Sequence, residues 1–293
     1  MDSPGLLSKP YLYRMKSLEE STLITTLRRL LPALLALATP LFSADTPKLT
    51  DEQMEKFLQN AKIVSMKGVN AGITGTQRAK LSDGTLEHDA SVQCIDEAKL
   101  KFEGTQGSEM NFKDTWKFNV AGYRLATILG VGDMIPMSVE RKVNGNTCAV
   151  TWWIDNATME VDRLKKKLQA PDQDRWNREM YVVRVYDQLI YNTDSNLTNL
   201  LIDPDWRIWA IDHTRAFRLY NNVKEKKNLV RCDRQLLEHM RKLNAAALEP
   251  LKPYVNDLEI KGLLHRRDEI VKFFDDEVKK KGEEAILYDR PAR

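Results

Sequence analysis

Two carboxylates and an amide in the stretch 187–217, DQLIYNTDSNLTNLLIDPDWRIWAIDHTRAF, have the types and spacing to hold a divalent cation beside an acceptor hydroxyl: Asp194, Asn199 and Asp212. Leu200, Leu201 and Ile202 form a short apolar run, Asp203, Pro204 and Asp205 supply turn residues, and Arg207 to Ile211 alternate polar and apolar. The segment therefore predicts a two-stranded antiparallel hairpin. Pairing Ile202 with Trp209 places Asn199 opposite Asp212, where opposed residues stand roughly 4.5 to 5.5 Å apart. An amide oxygen and a carboxylate at that spacing can share one divalent ion. Hard oxygen ligands, with no histidine or thiolate, suit Mg or Mn rather than zinc. Asp194, on the loop entering the hairpin, is near the ion without needing to bind it, which is the place of a base that orients an attacking hydroxyl. Any one of the three alone is ordinarily a turn former or a cap; the spacing of all three points to chemistry.

At these residues the sequence resembles the atypical protein-kinase-like superfamily, in the branch that includes phosphatidylinositol kinases, HipA-type toxin kinases and secretory-pathway casein kinases. The resemblance is carried by Asn192, Asp194, Asn199, Ile211, Asp212 and Phe217: a helix ending in N-x-D, a later asparagine, a short hairpin, and I-D followed by an aromatic. It implies a two-lobed α+β fold with a small strand-rich N-lobe and a larger helical C-lobe. It also implies Asp194 as catalytic base and Asn199 and Asp212 as ligands of the Mg or Mn bound to ATP or another nucleoside triphosphate. The whole chain further resembles a group of bacterial secreted proteins with the same loop. The implied activity is phosphoryl transfer to a protein, lipid or small-molecule acceptor that the residues do not identify. Two alternatives stay open: a pseudokinase that binds nucleotide or a partner without turnover, and a nucleotidyl transferase that releases pyrophosphate.

The elements upstream should cover the nucleotide. Thr50 as N-cap and Met54, Phe57 and Leu58 on one face predict a short helix over 50–60. Strands are expected at Ile63 to Met66, Gln77 to Leu81 and about Glu87 to Ile95, with Gly68, Gly72 and Gly75 in the first turn. In the resemblance those glycines lie over the phosphates. The strand HDASVQCID carries Gln93 where a phosphate-pairing lysine is expected, and its helical glutamate partner falls near Asn119, so neither ion-pair partner is evident. Lys80 on the preceding strand is a candidate replacement. The spacing of Trp116, Val120, Tyr123, Ala126 and Leu129 predicts a helix within 111–129 packed on the sheet and stopped by Gly130. Two strands turning at Asn144 and Gly145 then lead to Trp152 and Trp153, where a crevice between lobes would take a flat nucleobase; Trp153 is the candidate contact.

Downstream, Trp176, Met180, Val183, Tyr186 and Ile190 predict the helix that delivers Asn192 and Asp194. Asp187 on it is expected to hydrogen-bond the loop backbone, and alternation would point His213 away from the ion. Further helices are expected at Leu236 to Leu243, Leu248 to Tyr254, Leu258 to Leu264 and Asp268 to Phe274, with Gly262 as punctuation. Arg231, Arg234, Arg266 and Arg267 are candidate phosphate or acceptor contacts, although helical arginines usually serve ion pairs.

A chain of 293 residues with 42% hydrophobic content can bury a sizeable core. The formal net charge of +3 gives no support for nonspecific nucleic-acid binding. Cys94, Cys148 and Cys232 fit neither a disulfide framework nor a zinc site, although one pair could form. Arg28 and Arg29 precede the apolar run Leu30 to Phe42, followed by Ser43 and Ala44. Residues 1–44 therefore read as a signal peptide or uncleaved anchor of an exported protein. The remainder divides into an N-lobe over 45–150, a C-lobe over 151–285 and a tail over 286–293.

Overall fold

The computed structural model describes residues 49–69, 75–104, 107–291 and 293; the expected signal segment, 1–44, lies outside them. The chain opens with helix α1 (Asp51–Asn60), started by Thr50, whose hydroxyl accepts from the Gln53 amide while the Gln53 side chain accepts from Thr50 N–H. This reciprocal pair satisfies two of the orphan donors at the helix start. Strands β1 (Lys62–Gly68), β2 (Gln77–Ser82) and β3 (Glu87–Gln93) follow. A hairpin, β4 (Asp96–Gly104) and β5 (Gly107–Thr115), precedes helix α2 (Lys117–Ile128), and β6 (Ser138–Val143) and β7 (Asn146–Trp152) complete the sheet. Its order is β1-β2-β3-β7-β6, antiparallel throughout.

The architecture is mixed α+β, as expected, and its buried apolar residues form two clusters. The smaller joins Phe57 and Leu58 of α1 to Ala79, Leu81, Ala90, Val92 and Val150 on one sheet face. Arg141 fastens the helix there, donating to Leu58 C=O at 2.9 Å and Ala61 C=O at 2.7 Å. The larger cluster takes α2 together with the helical part of the chain, and Tyr123 touches both.

The expected helix over 111–129 begins only at Lys117, because Asn111 to Thr115 belong to β5. The β4–β5 hairpin was not legible as strands: its two edges are mostly exposed and charged, and only Phe112 and Asp114 to Trp116 turn inward. Gly130, in the left-handed region at φ +72°, ends the helical segment as expected.

After β8 (Thr158–Met159) and α3 (Glu160–Lys165), helix α4 (Gln173–Ile190) leads to the hairpin β9 (Leu200–Ile202) and β10 (Ile208–Ala210). Its register corrects the expectation: Ile202 pairs with Ile208, and Leu201 with Trp209. Asp203 sets it. Its carboxylate accepts from Asp205 and Arg207 N–H, both at 2.9 Å, and from Trp209 Nε1 at 3.0 Å, so the turn closes one residue earlier. Glu179 of α4 accepts from Ile208 N–H at 2.7 Å and anchors the hairpin.

Strand β11 (Cys232–Asp233) and α5 (Arg234–Lys242) come next, followed by α6 (Asp257–Lys281), α7 (Glu283–Ile286) and β12 (Leu287–Tyr288). The two helices expected at Leu258 to Leu264 and Asp268 to Phe274 are one, α6. Gly262 is needed there because a Cβ would meet the Arg218 carbonyl at 3.3 Å and Arg266 at 3.0 Å. Of the four candidate arginines, Arg266 is fully buried and donates to Leu189 C=O at 2.7 Å, Arg218 C=O at 2.9 Å and Tyr220 C=O. Arg231, Arg234 and Arg267 likewise bind carbonyls or carboxylates of their own surroundings. The expected tail over 286–293 is docked rather than loose: β12 pairs with β11, and buried Arg293 pairs with Glu179 at 2.5 Å.

Candidate functional site

A cavity of about 460 Å³ opens between the sheet and the β9–β10 hairpin, lined by Arg78, Ser91, Gln93 and Asn119 on one side and by Asn199, Leu201, Ile211 and Asp212 on the other. Trp152 and Trp153 line it where β7 ends.

Asn199 and Asp212 reach it differently from the expected pairing. Asn199 C=O accepts from Ile211 N–H at 3.0 Å, so Ile211 is the ladder partner. Asp212 lies one residue beyond, in a left-handed conformation (φ +57°) that Asp tolerates better than most residues. Asp194 is half-buried, does not line the cavity, and stands one hydrogen bond from it: its C=O accepts from Asn199 Nδ2 at 2.9 Å. With Nδ2 spent on Asp194, the oxygen of the Asn199 amide is the end left for a cation. Asp212 Oδ1 accepts from Thr214 Oγ1 at 3.0 Å. Burial is the main cause that raises the Asp212 carboxyl above its usual range, against the hydrogen bonds from Thr214 and Gln93. A carboxylate with that bias gains from a cation beside it.

The loop preceding the hairpin is tied down by side chains. Asp187 Oδ1 accepts from Asn192 Nδ2 at 3.1 Å, its other oxygen accepts from Ser195 Oγ, and Asn192 Oδ1 accepts from Asp194 N–H at 3.1 Å. Asp187 thus holds the loop through the side chains of Asn192 and Ser195. Burial raises its carboxyl above the usual range.

Gln93 and Asn119, the positions where a lysine and a glutamate were expected, face each other. Asn119 Nδ2 donates to Gln93 Oε1 at 2.6 Å, and Asn119 Oδ1 accepts from His213 N–H at 2.7 Å. The Gln93 side chain also hydrogen-bonds Asp212. His213 is buried against Gly122, where a Cβ would come within 3.3 Å of its ring, and Tyr186 meets it edge-on at 5.9 Å. Burial lowers its pKa to about 4.

Lys80 does not line the cavity; it is half-exposed and pairs with Glu87 at 3.6 Å. The cation on that strand at the cavity is Arg78, which donates to Asp89 at 2.6 Å and lies 4.3 Å over the Trp153 ring. Two residues from Lys80 on the same strand face, it was findable by alternation. Gly68 and Gly75 do not line the cavity, although their neighbours Val69 and Thr76 do, and Gly72 lies outside the described residues. Arg215, missed from sequence, donates from Nε to Asp114 at 2.8 Å. Asp114 carried no signal while its segment read as helix.

Asn199 and Asp212 both line the cavity and offer it two hard oxygen donors, a donor type that suits Mg. Among the described residues no group of three or more His, Cys, Asp or Glu could hold one alone. One disulfide, Cys94–Cys148, joins the residue after Gln93 to β7, and Cys232 is a buried free thiol.

No family model and no curated protein matches the sequence. Among solved structures the chain is similar to one described as a Helicobacter pylori proinflammatory kinase, CtkA. The two share 10% identity over 78% of this chain and 97% of that one, with a TM-score of 0.45.

Proposed function

We propose that this protein is a kinase-like phosphotransferase acting on a metal-bound nucleoside triphosphate. One observation carries the reading: the Asn199 amide spends its nitrogen on Asp194 C=O, which directs its oxygen to the cavity wall that Asp212 also lines. Asn199 and Asp212 would hold Mg or Mn, which supplies charge neutralisation of the β and γ phosphates. Asp194, fixed by Asn192 and Asn199, orients the acceptor hydroxyl and takes its proton. Trp153, beneath the Arg78 guanidinium, offers a flat surface to the base, and Val69 and Thr76, the described neighbours of Gly68 and Gly75, line the same cavity on the sheet side.

A second reading, a nucleotide-binding protein without turnover, is favoured by the neutral Gln93–Asn119 pair, because no fixed cation stands at position 93 to meet phosphate. The Cys94–Cys148 disulfide supports export to an oxidising compartment.

The test is incubation of the full chain with Mg or Mn and labelled ATP, measuring ADP, pyrophosphate and thermal stabilisation, with Asp212→Ala as control. ADP that disappears in the variant supports the kinase. Pyrophosphate in its place indicates nucleotidyl transfer. Stabilisation without either product indicates binding alone, and no stabilisation by any nucleotide sinks both readings.

A further inference from the structure

Position 93 leaves the site without its expected cation, yet a cation stands three residues beyond Asp212 in the chain, outside the cavity lining. Arg215 carries it. Its guanidinium is a quarter exposed and pairs with Asp114, whose side chain is only 2% exposed. Asp114 Oδ1 has no hydrogen-bond partner; Arg215 is its ion-pair partner, and Arg218, itself paired with Glu109, also feels its charge.

The segment is fastened on both sides. Arg215 C=O accepts from Thr193 N–H at 3.2 Å and Thr193 Oγ1 at 3.0 Å, next to Asp194, while Thr214 C=O accepts from Thr115 N–H at 3.0 Å, next to Asp114. Burial opposes the charge on Arg215, but Asp114, Asp194 and Asp212 together raise its pKa. Three carboxylates and one guanidinium leave two negative charges, which a single divalent ion would balance.

We infer that Arg215, held by Asp114 at the end of the β4–β5 hairpin, is the fixed cation of this site: a positioning residue that offsets Asp194 and Asp212 and sets the site to take one divalent ion. The inference rests on the proposed metal site at Asn199 and Asp212. It assigns the hairpin a purpose, namely to deliver Asp114 to Arg215. A guanidinium suits this place because it keeps its charge and presents several fixed donors to neighbouring carboxylates.

The experiment is Mn titration of the full chain without nucleotide, followed by electron paramagnetic resonance, on the wild type, Arg215→Gln, Arg215→Lys, Asp114→Asn and Asp212→Ala, with circular dichroism to check folding. Removing a fixed positive charge strengthens cation binding, so Arg215→Gln should bind Mn at least tenfold more tightly, or bind a second ion. Arg215→Lys should match the wild type. Asp114→Asn, which removes a negative charge and frees Arg215, should bind more weakly. Opposite signs in Arg215→Gln and Asp114→Asn are what a merely structural pair would not give, since loss of packing weakens both. If folded Arg215→Gln binds Mn no better than the wild type, or Asp114→Asn binds no worse, the inference fails. Should Arg215→Gln misfold, Arg215→Lys and Asp114→Asn still decide it: wild-type affinity in the first with weakening in the second supports the inference, and any other pattern overturns it. Wild-type Mn binding that Asp212→Ala leaves unchanged would sink the proposed metal site instead, whatever the two Arg215 variants do.

Discussion

The side chain of Asn119 bridges the sheet and the segment after β10, its nitrogen donating to Gln93 Oε1 at 2.6 Å and its oxygen accepting from His213 N–H at 2.7 Å. A neutral relay thus occupies the ground where an ion pair was expected, and it spends both ends of one amide.

Replacing Asn119 with alanine leaves the Gln93 carbonyl and the His213 N–H without partners in a buried place. The expected loss of stability is about 2 to 6 kcal/mol, the sum of two unsatisfied groups. Urea denaturation measures it; a loss under about 0.5 kcal/mol would mean that water replaces the amide.

Asn199→Ala removes both the brace on Asp194 and one of the two proposed metal ligands. A Mg–nucleotide complex at a hundred times its dissociation constant should stabilise the wild type by about 2.7 kcal/mol. The variant should show less than half of this shift. Equal stabilisation of both proteins would remove Asn199 from the site.

His213 makes stability depend on pH. Its folded pKa is lowered to about 4, so from pH 6.5 downward the unfolded chain binds a proton that the folded chain refuses. Its contribution is complete above pH 6.5 and falls by about 3 kcal/mol as pH drops to about 4. His213→Gln lacks a titrating group and should lose this component. Chemical denaturation at pH 7 and pH 4.5, compared between the two proteins, isolates it from the carboxylates they share.

Removing the Cys94–Cys148 bond should cost up to about 4 kcal/mol if loop entropy dominates, since the bridged residues are 54 apart. Cys94→Ser with Cys148→Ser, compared with the oxidised and reduced wild type, gives the figure. An unchanged midpoint in the double variant would show that the strand pairing holds without the bridge.

What was legible in the sequence followed from local periodicity. The alternation in 77–81 and 87–95, the Thr50 cap, the helix from Trp176 to Ile190 and the Asn144–Gly145 turn all fix their elements within a few residues. The hairpin near Asn199 was also visible, but its register depended on the Asp203 side chain closing the turn, a choice made by three hydrogen bonds rather than by pattern. The β4–β5 strands escaped notice because they bury little; Leu100 on one of them is 82% exposed. Gly262 misled for the opposite reason. Its lack of a side chain serves a neighbouring segment and leaves its helix intact. Asp194, Asn199 and Asp212 were singled out by residue type, and two of them line the cavity, whereas Arg215 and Asp114 needed three dimensions, since 101 positions separate them.

Arg266 has a consequence for how the cleft can breathe. Burial draws its pKa down to about 10, yet it remains a cation at neutral pH, answered by three carbonyls instead of a carboxylate. Two of those carbonyls follow Asp212 in the chain and the third lies at the end of the helix that leads to Asp194, so one side chain from α6 rivets the approach and the exit of the segment between them to a single strut. A ligand that displaces either end of that segment would have to break the rivet first.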